Sequence, residues 1–422
     1  MRVESETRNQ KKTVSTYNIN LHEAIYSLSD ALDLVGVTHI HHGKRVAYMA
    51  AEFGKYLEWG RSQLDDLFQS AILHDCGVSK TTVHAKLAQF EWELEGDHCK
   101  TGASLLASSP LLQHLAPVVL HHHTHWSSLK DMALPIETKL NANCIYMADR
   151  VDILTLRYLA DEIDILLGKE DIRKKVAEKC GDWFCRELVD AFMEVSRSEA
   201  FWFSLETSHV NSYVTTWISE NGTRGMTFEE LRSLARVFSS IVDAKSPFTK
   251  EHSDRVASLA RRIGMLFDLP EENCEMLELA GLLHDIGKLR VPDELLEKPG
   301  RLTEPESITV RRHSFDTYSI LRNIKGMEKI TLWAAQHHER LDGSGYPRRT
   351  KNTGISLEAR IVEVADVFQA LAQRRPYRDS LSPDQIMGIL NQEAAKGRLD
   401  ARIVEKVETH LQECWLAATG KI

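Results

Sequence analysis

The sequence contains the same pattern of histidine and aspartate twice, and this repeat constrains the fold more than any other feature. "HHGKRVAYMA" at 41–50 aligns with "EHSDRVASLA" at 251–260, and "ILHDCGV" at 72–78 aligns with "LLHDIGK" at 282–288. In both copies, 32 residues separate the aligned histidines of the two segments. A repeat of this length predicts two similar domains in tandem.

The repeat continues through a single histidine and a histidine pair to an aspartate, which lies in "MADRVDIL" at 147–154 and in "VADVFQAL" at 364–371. A lone histidine on an apolar helix face is usually a structural residue, but seven positions that recur in order are not explained in that way. Buried carboxylates need cations, and imidazole with carboxylate favours Fe, Mn or Zn over copper or calcium. The candidate ligands are His42, His74, Asp75, His98, His122, His123 and Asp149 in the first half, and His252, His284, Asp285, His313, His337, His338 and Asp366 in the second half.

The segments between these positions have helical periodicity. Val256, Leu259 and Ile263 lie on the same helical stripe as His252, and no sustained alternation of period two appears. We therefore predict an all-α protein made of two tandem helical bundles. Asn-Gly and Arg-Gly turn signals in 219–230 mark the linker, where Thr227 is a candidate helix cap.

These signals predict three parts of the chain. They are a flexible arm at 1–18, a first domain at 19–222 and a second domain at 226–422.

Composition narrows the class of protein. A net charge of -9 and a pI near 6.1 argue against a nucleic acid polymer as partner. Neither a membrane span nor a signal peptide is expected, and the seven cysteines have no CxxC spacing. We expect a cytoplasmic protein with reduced thiols.

The second half has features that the first half lacks. "HHERLDGSGYP" at 337–347 brings Gly345 and Tyr346 directly behind the histidine pair, where a rigid turn could form the wall of a pocket. "QRRPYRDS" at 373–380 gathers arginines behind Asp366, either as a solvated charge run or as a phosphate site.

Residues from about 230 to 410 resemble the HD-GYP family of bacterial phosphodiesterases. The resemblance rests on "HSDRV", "LLHDIGK", "HHERLDGSGYP", "VADVF" and "RPYR", which occur in the order of the family. It implies an all-helical domain that hydrolyses a cyclic dinucleotide, either cyclic di-GMP or 3′3′-cGAMP, with two divalent metal ions. Fe or Mn is favoured, with Zn, Ni or Mg as alternatives.

The resemblance also implies roles for individual residues. His252, His284, Asp285 and Asp366 would hold one metal, while His313, His337 and His338 would hold the other, with Asp285 as the bridge. Lys288 would act at the scissile phosphate beside Asp285. The substrate-binding residues would be Arg340, Gly345, Tyr346, Arg375 and Arg378.

Two departures from the family pattern are visible. Phe248 stands where some relatives have a glutamate that holds a third metal, so two metals are expected. Gln369 stands where the family tends to have aspartate, which affects the expected rate or substrate choice rather than metal binding.

The first half resembles a divergent HD domain. It keeps the ligand types but has Val78 where the second half has Lys288, and "HHTHWSSLKD" at 122–131 replaces the Gly-Tyr-Pro loop. A regulatory or dimerising module that binds metal is expected, and an independent phosphohydrolase is the alternative. For the whole chain, the alternatives are a mononucleotide phosphohydrolase and a metal-bearing scaffold or receptor. A homodimer or a pairing of the two halves within one chain would suit such a module.

Overall fold

The computed structural model of the protein describes residues 16–35, 41–78, 97–160, 164–220, 224–245, 251–374 and 379–420. Almost all regular structure in these ranges is helical, so the all-α prediction is confirmed. In the first half the helices are α1 (Leu21–Leu32), α2 (His42–Tyr56), α3 (Arg61–Leu73), α4 (Asp97–Ala107), α5 (Ala116–His121), α6 (Trp126–Leu129), α7 (Ile136–Ala160), α8 (Lys169–Ala177), α9 (Arg186–Val195), α10 (Glu199–Phe203) and α11 (Thr207–Ser219).

The second half repeats this helical organisation. Its helices are α12 (Phe228–Asp243), α13 (His252–Leu266), α14 (Glu271–Leu283), α15 (Asp293–Leu296), α16 (Glu304–Arg311), α17 (His313–Leu321), α18 (Glu328–Ala335), α19 (Leu357–Ala372), α20 (Pro383–Ala395), α21 (Ala401–Thr409) and α22 (Leu411–Thr419). Short 3₁₀ helices lie at Gln113–Leu115, Ile165–Leu167, Ile286–Arg290 and Asn352–Gly354.

The central helices of the two halves pack in the same way. In the first half α2 lies against α3 and α7, and in the second half α13 lies against α14 and α19. Val46 and Phe53 of α2, like Val256 and Ile263 of α13, are fully buried in these contacts. Because α2 and α13 each begin at a candidate ligand, the same apolar packing that builds the bundle also fixes the position of that histidine.

Helix α12 begins as the sequence predicts. The Thr227 hydroxyl accepts a hydrogen bond from the Glu230 backbone N–H, and the Glu230 carboxylate accepts one from the Thr227 backbone N–H. This capping box satisfies donors that the first turn of a helix leaves free.

The arm predicted at 1–18 is wrong for its last residues. Strand β1 (Thr16–Ile19) pairs antiparallel with β2 (Arg224–Thr227), which lies inside the predicted linker. Tyr17 and Ile19 are buried and Thr16 and Asn18 are exposed, but a strand of four residues is too short to give a clear periodic signal. Residues 1–15 lie outside the described ranges.

The two halves contact each other through equivalent elements. β1 precedes α1 and β2 precedes α12, so one strand from the same place in each half takes part in this antiparallel pairing. Helix α1 also packs against α17 and against Ile286–Arg290 of the other half. The Tyr17 hydroxyl donates to Glu275 Oε2 at 2.8 Å, and Glu23 Oε2 accepts from the Lys325 backbone N–H at 2.9 Å.

Across the described ranges, no helix has both the length and the apolar character that crossing a lipid bilayer requires.

Candidate metal centres

The candidate histidine ligands of the second half lie where helices begin or end. His252 and His313 are the first residues of α13 and α17, and His284 directly follows α14. His337 follows α18 closely, and Asp366 faces them from α19. The sequence-predicted residues therefore meet in one cluster.

Backbone carbonyls orient three of the imidazoles. Nδ1 of His284 donates to the Gly281 carbonyl at 2.7 Å, while Nδ1 of His313 and of His337 donate to carbonyls three residues earlier, each at 2.6 Å. A carbonyl can only accept, so Nδ1 carries the proton and Nε2 keeps its lone pair. This arrangement prepares an imidazole to bind a metal through Nε2.

Asp285 lies between two groups of imidazoles. Its Oδ2 is 3.6 Å from His252 Nε2 and 3.3 Å from His284 Nε2. Its Oδ1 is 3.5 Å from His313 Nε2 and 3.8 Å from His337 Nε2. Each carboxylate oxygen therefore faces a different set of nitrogens, as a ligand shared by two cations would.

The donor set fits divalent metal ions. Nε2 of His252, Nε2 of His284 and Oδ1 of Asp285 are buried and have no hydrogen-bond partner among the described residues. Burying polar atoms without partners is costly, and a cation among them removes that cost. The cluster contains imidazole and carboxylate, a combination suited to Fe, Mn or Zn.

Most ligands of the cluster are held in the deprotonated form that binds a metal. Burial lowers the pKa of His313 to about 4 and that of His337 to about 3. Burial opposes ionisation of Asp285, but His284 and Lys288 hold the pKa of this carboxyl well below its usual value. His284 differs, since Asp285 raises its pKa in spite of burial. A bound cation would favour the neutral form of His284 as well.

Lys288 lies beside this cluster. Its Nζ donates to Asp285 Oδ2 at 2.5 Å, and its side chain is 18% exposed. The preceding residue, Gly287, packs so tightly that a Cβ there would lie 2.1 Å from the His313 carbonyl oxygen. Only glycine fits at this close approach, which brings residues 282–288 (the HD segment, equivalent to 72–78 in the first half) against α17.

The loop behind the histidine pair covers one side of the cluster. The Tyr346 ring lies 4.8 Å from the His338 ring, and the Tyr346 backbone N–H donates to the His338 carbonyl. A Cβ on Gly345 would lie 2.4 Å from the Arg340 backbone nitrogen, so this position requires glycine. Arg340 itself donates to Glu363 Oε1 at 2.5 Å, which occupies one end of its guanidinium.

Glu339 was not identified from the sequence, although the structure makes it a support of this loop. Its side chain is fully buried, and its two oxygens accept the backbone N–H groups of Arg348 and Thr350, each at 2.8 Å. The available sequence signal was a glutamate directly after a histidine pair. If such a residue is buried, its carboxylate needs hydrogen-bond donors nearby.

Three further residues named from the sequence, Arg375, Arg378 and Phe248, lie outside the described residues. Gln369 is buried on α19, where its Oε1 accepts from His252 Nδ1 at 2.5 Å. The Gln369 amide therefore orients a candidate ligand, a contact that its spacing from Asp366 could have suggested.

The first half repeats the geometry of the cluster. Nδ1 of His74 donates to the Ala71 carbonyl at 2.7 Å, and Nδ1 of His122 donates to the Val119 carbonyl at 2.6 Å. Asp75 Oδ2 faces His74 Nε2 at 3.5 Å, while Asp75 Oδ1 lies 3.7 Å from His98 Nε2 and from His122 Nε2. Nε2 of His74 and Oδ1 of Asp75 again have no hydrogen-bond partner among the described residues. The remaining predicted ligands, His42, His123 and Asp149, lie at the same cluster.

Two contacts distinguish the first cluster from the second. His42 Nδ1 bonds the Asp152 carboxylate at 2.7 Å, and Arg45 pairs with the same carboxylate, so an ionised group stands where the second half has the Gln369 amide. Cys99 Sγ lies 3.5 Å from His98 Nε2. Burial raises the pKa of the Cys99 thiol, but His122 and His98 outweigh burial and bring it to about 6. Neither Asp152 nor Cys99 was identified from the sequence.

The fold and the paired clusters define a tandem HD-domain protein. HD-domain families match residues 40–154 and 236–403. The chain is 38% identical to 3′3′-cGAMP-specific phosphodiesterase 1 of Vibrio cholerae, over 94% of this chain and 93% of that protein. It is 40% identical over 42% of its length to the cyclic di-GMP phosphodiesterase response regulator RpfG of Xanthomonas campestris.

A solved structure shares the whole fold. It is a cyclic GMP-AMP specific phosphodiesterase of Vibrio cholerae, with a TM-score of 0.63 and 23% identity, over 94% of this chain and 98% of that one. The chain therefore belongs to the HD-GYP phosphodiesterases, in the tandem HD-domain family that includes 3′3′-cGAMP-specific phosphodiesterase 1 of Vibrio cholerae.

Proposed function

We propose that the second half hydrolyses a cyclic dinucleotide to a linear dinucleotide, with 3′3′-cGAMP as the preferred substrate. The observation that carries this proposal is the position of Asp285, whose two oxygens face different imidazoles. Similarity to a 3′3′-cGAMP-specific enzyme over both halves supports the substrate, because the similarity to the cyclic di-GMP enzyme covers less than half of the chain.

The second cluster would hold two divalent ions, with Fe or Mn favoured by its nitrogen and oxygen donors. When bound, such ions lower the pKa of water and polarise phosphoryl oxygens. The proposed ligands are His252, His284 and Asp366 for one ion and His313, His337 and His338 for the other, with Asp285 shared.

Lys288 would act on the phosphate. Its ammonium group is partly exposed at the edge of the cluster and is held there by Asp285. A fixed cation in a partly buried site stabilises the negative charge that develops on a phosphate, or donates a proton to the leaving 3′-oxygen.

The loop after the histidine pair would bind the rest of the substrate. Tyr346 offers an aromatic surface, and Gly345 lets the backbone approach closely. Because Arg340 is engaged by Glu363, we assign it to support of the loop. Arg375 and Arg378, which follow α19, are proposed as the phosphate-binding residues.

The first half would bind metal without hydrolysing cyclic dinucleotides. Val78 stands at the place of Lys288 and is buried, so no side-chain cation from that position reaches the Asp75 carboxylate. The contacts of α1 with α17 and Ile286–Arg290 support a role in positioning the catalytic half.

The test is a comparison of substrates with the purified full-length protein. Each of 3′3′-cGAMP, cyclic di-GMP and a nucleoside triphosphate is incubated separately, and the products are resolved by ion-exchange chromatography. The proposal predicts a linear dinucleotide, formed fastest from 3′3′-cGAMP. Hydrolysis of the triphosphate alone would favour a mononucleotide phosphohydrolase, and binding without turnover would favour a receptor.

A further inference from the structure

A thiol lies within the candidate metal cluster of the first half. Cys99 Sγ is 3.5 Å from His98 Nε2 and 3.9 Å from His122 Nε2. We propose that Cys99 is a metal ligand and that its sulfur directs zinc to this cluster. The inference rests on the proposed metal binding of the first half, and it is independent of catalysis in the second.

The contacts of Cys99 are near the length of the edges of a tetrahedral zinc site. With Zn–S near 2.3 Å and Zn–N near 2.0–2.1 Å, tetrahedral geometry places adjacent ligand atoms about 3.3–3.6 Å apart. Cys99 Sγ lies within this range of His98 Nε2, at 3.5 Å, and slightly beyond it from His122 Nε2, at 3.9 Å. Asp75 Oδ1 lies 3.7 Å from each of the same two nitrogens. Asp75 Oδ1 is also buried without a hydrogen-bond partner among the described residues, so a second unpartnered ligand atom lies against the same two imidazoles.

The surroundings of Cys99 differ from those of other buried cysteines. A buried free cysteine usually behaves as a small apolar residue. Cys144 follows that pattern, with its thiol directed at the Ala50 carbonyl, and Cys274 directs its thiol at the Leu269 carbonyl. Cys99 instead faces two imidazole nitrogens, and the Val119 carbonyl orients one of these rings, that of His122.

The second half has oxygen where the first has sulfur. Ser314 follows His313 as Cys99 follows His98, and its Oγ lies 3.3 Å from His313 Nε2. A thiolate is a soft, charged ligand that favours zinc, whereas a neutral hydroxyl contributes little to the selection of a metal. The two halves of one chain would therefore carry different metals.

Cobalt substitution of the full-length protein tests the proposal. Co²⁺ reports a bound thiolate through a sulfur-to-metal charge-transfer band in the near ultraviolet, whereas nitrogen and oxygen ligands give no such band. The wild-type protein should show the band. Cys99→Ser, which copies the second half, should lose it and retain less zinc after dialysis against a chelator. Cys144→Ser is the matched control and should keep both.

The outcomes of the cobalt experiment can be distinguished from those of the hydrolysis assay that tests the proposed function. A wild-type protein without the band, or an undiminished band in Cys99→Ser, would overturn the assignment, and the wild-type spectrum decides this even if the variant does not fold. Hydrolysis of 3′3′-cGAMP is measured in the same preparations. It should be unchanged in Cys99→Ser, and its absence from the wild type would overturn the proposed function but not the thiolate ligand.

Discussion

Val78 and Lys288 occupy the same place in the two halves. The backbone N–H of each donates to the carbonyl of the aspartate three residues earlier, Asp75 or Asp285, at 2.8 Å in both cases. The main chain of the HD segment is therefore the same, and the halves differ in what the side chain offers. Lys288 reaches the carboxylate of Asp285 with its ammonium group, while Val78 is buried and apolar.

Removing the ammonium group of Lys288 should slow hydrolysis without emptying the metal site. In Lys288→Ala we expect turnover to fall by about 10²–10³, the range for losing one group that stabilises charge in a transition state. Lys298→Ala is the control, because Lys298 pairs with Glu306 away from the cluster. Turnover and metal content are measured together, and metal loss in Lys288→Ala would contradict the assigned role.

Adding a methyl group at Gly287 should separate the HD segment from α17. The new Cβ would meet the His313 carbonyl oxygen at 2.1 Å, and overpacking of this kind costs about 1–3 kcal/mol or more. We expect Gly287→Ala to lower the unfolding midpoint and the metal content. Gly388→Ala is the control, since a Cβ there meets no atom within 4 Å. Equal stability of the two variants would show that the close approach is not needed.

Loss of the Glu339 carboxylate should loosen the loop that carries Tyr346. Glu339→Ala removes the acceptor for the backbone N–H groups of Arg348 and Thr350. Hydrogen bonds to a charged group contribute about 1.5–3 kcal/mol each. We expect KM for 3′3′-cGAMP to rise roughly tenfold or more, equivalent to at least about 1.4 kcal/mol of binding free energy.

Glu405→Gln, on the exposed surface of α21, should leave KM unchanged. A fall in kcat for Glu339→Ala with no change in KM would argue that Glu339 acts on the chemistry rather than on the loop.

The contact between the halves can be weakened at one atom. Tyr17→Phe removes the hydroxyl that donates to Glu275, and leaving a buried carboxylate without this donor should cost about 1–3 kcal/mol. We expect faster hydrogen exchange of the β1 amides and a lower unfolding midpoint. Unchanged exchange would mean that β1 does not depend on this bond.

Much of this organisation could be predicted from the sequence because it repeats. The spacing of His42 and His74 recurs in His252 and His284, and helical periodicity places each pair on packed faces. Strand β1 was missed because four residues carry little periodic signal, and its stability comes from pairing with a distant segment. Cys99 was missed because its relation to His122 depends on the packing of α4 against α5, which spacing does not specify.

We propose that the two similar clusters of this chain divide their tasks, so that the second hydrolyses the cyclic dinucleotide and the first does not. The most direct test is hydrolysis of 3′3′-cGAMP by full-length Asp75→Ala and Asp285→Ala, with the metal content of each protein measured alongside. We predict that Asp285→Ala abolishes hydrolysis, while Asp75→Ala loses first-half metal and keeps hydrolysis. Loss of hydrolysis in Asp75→Ala, with the fold and the second-half metals intact, would contradict it.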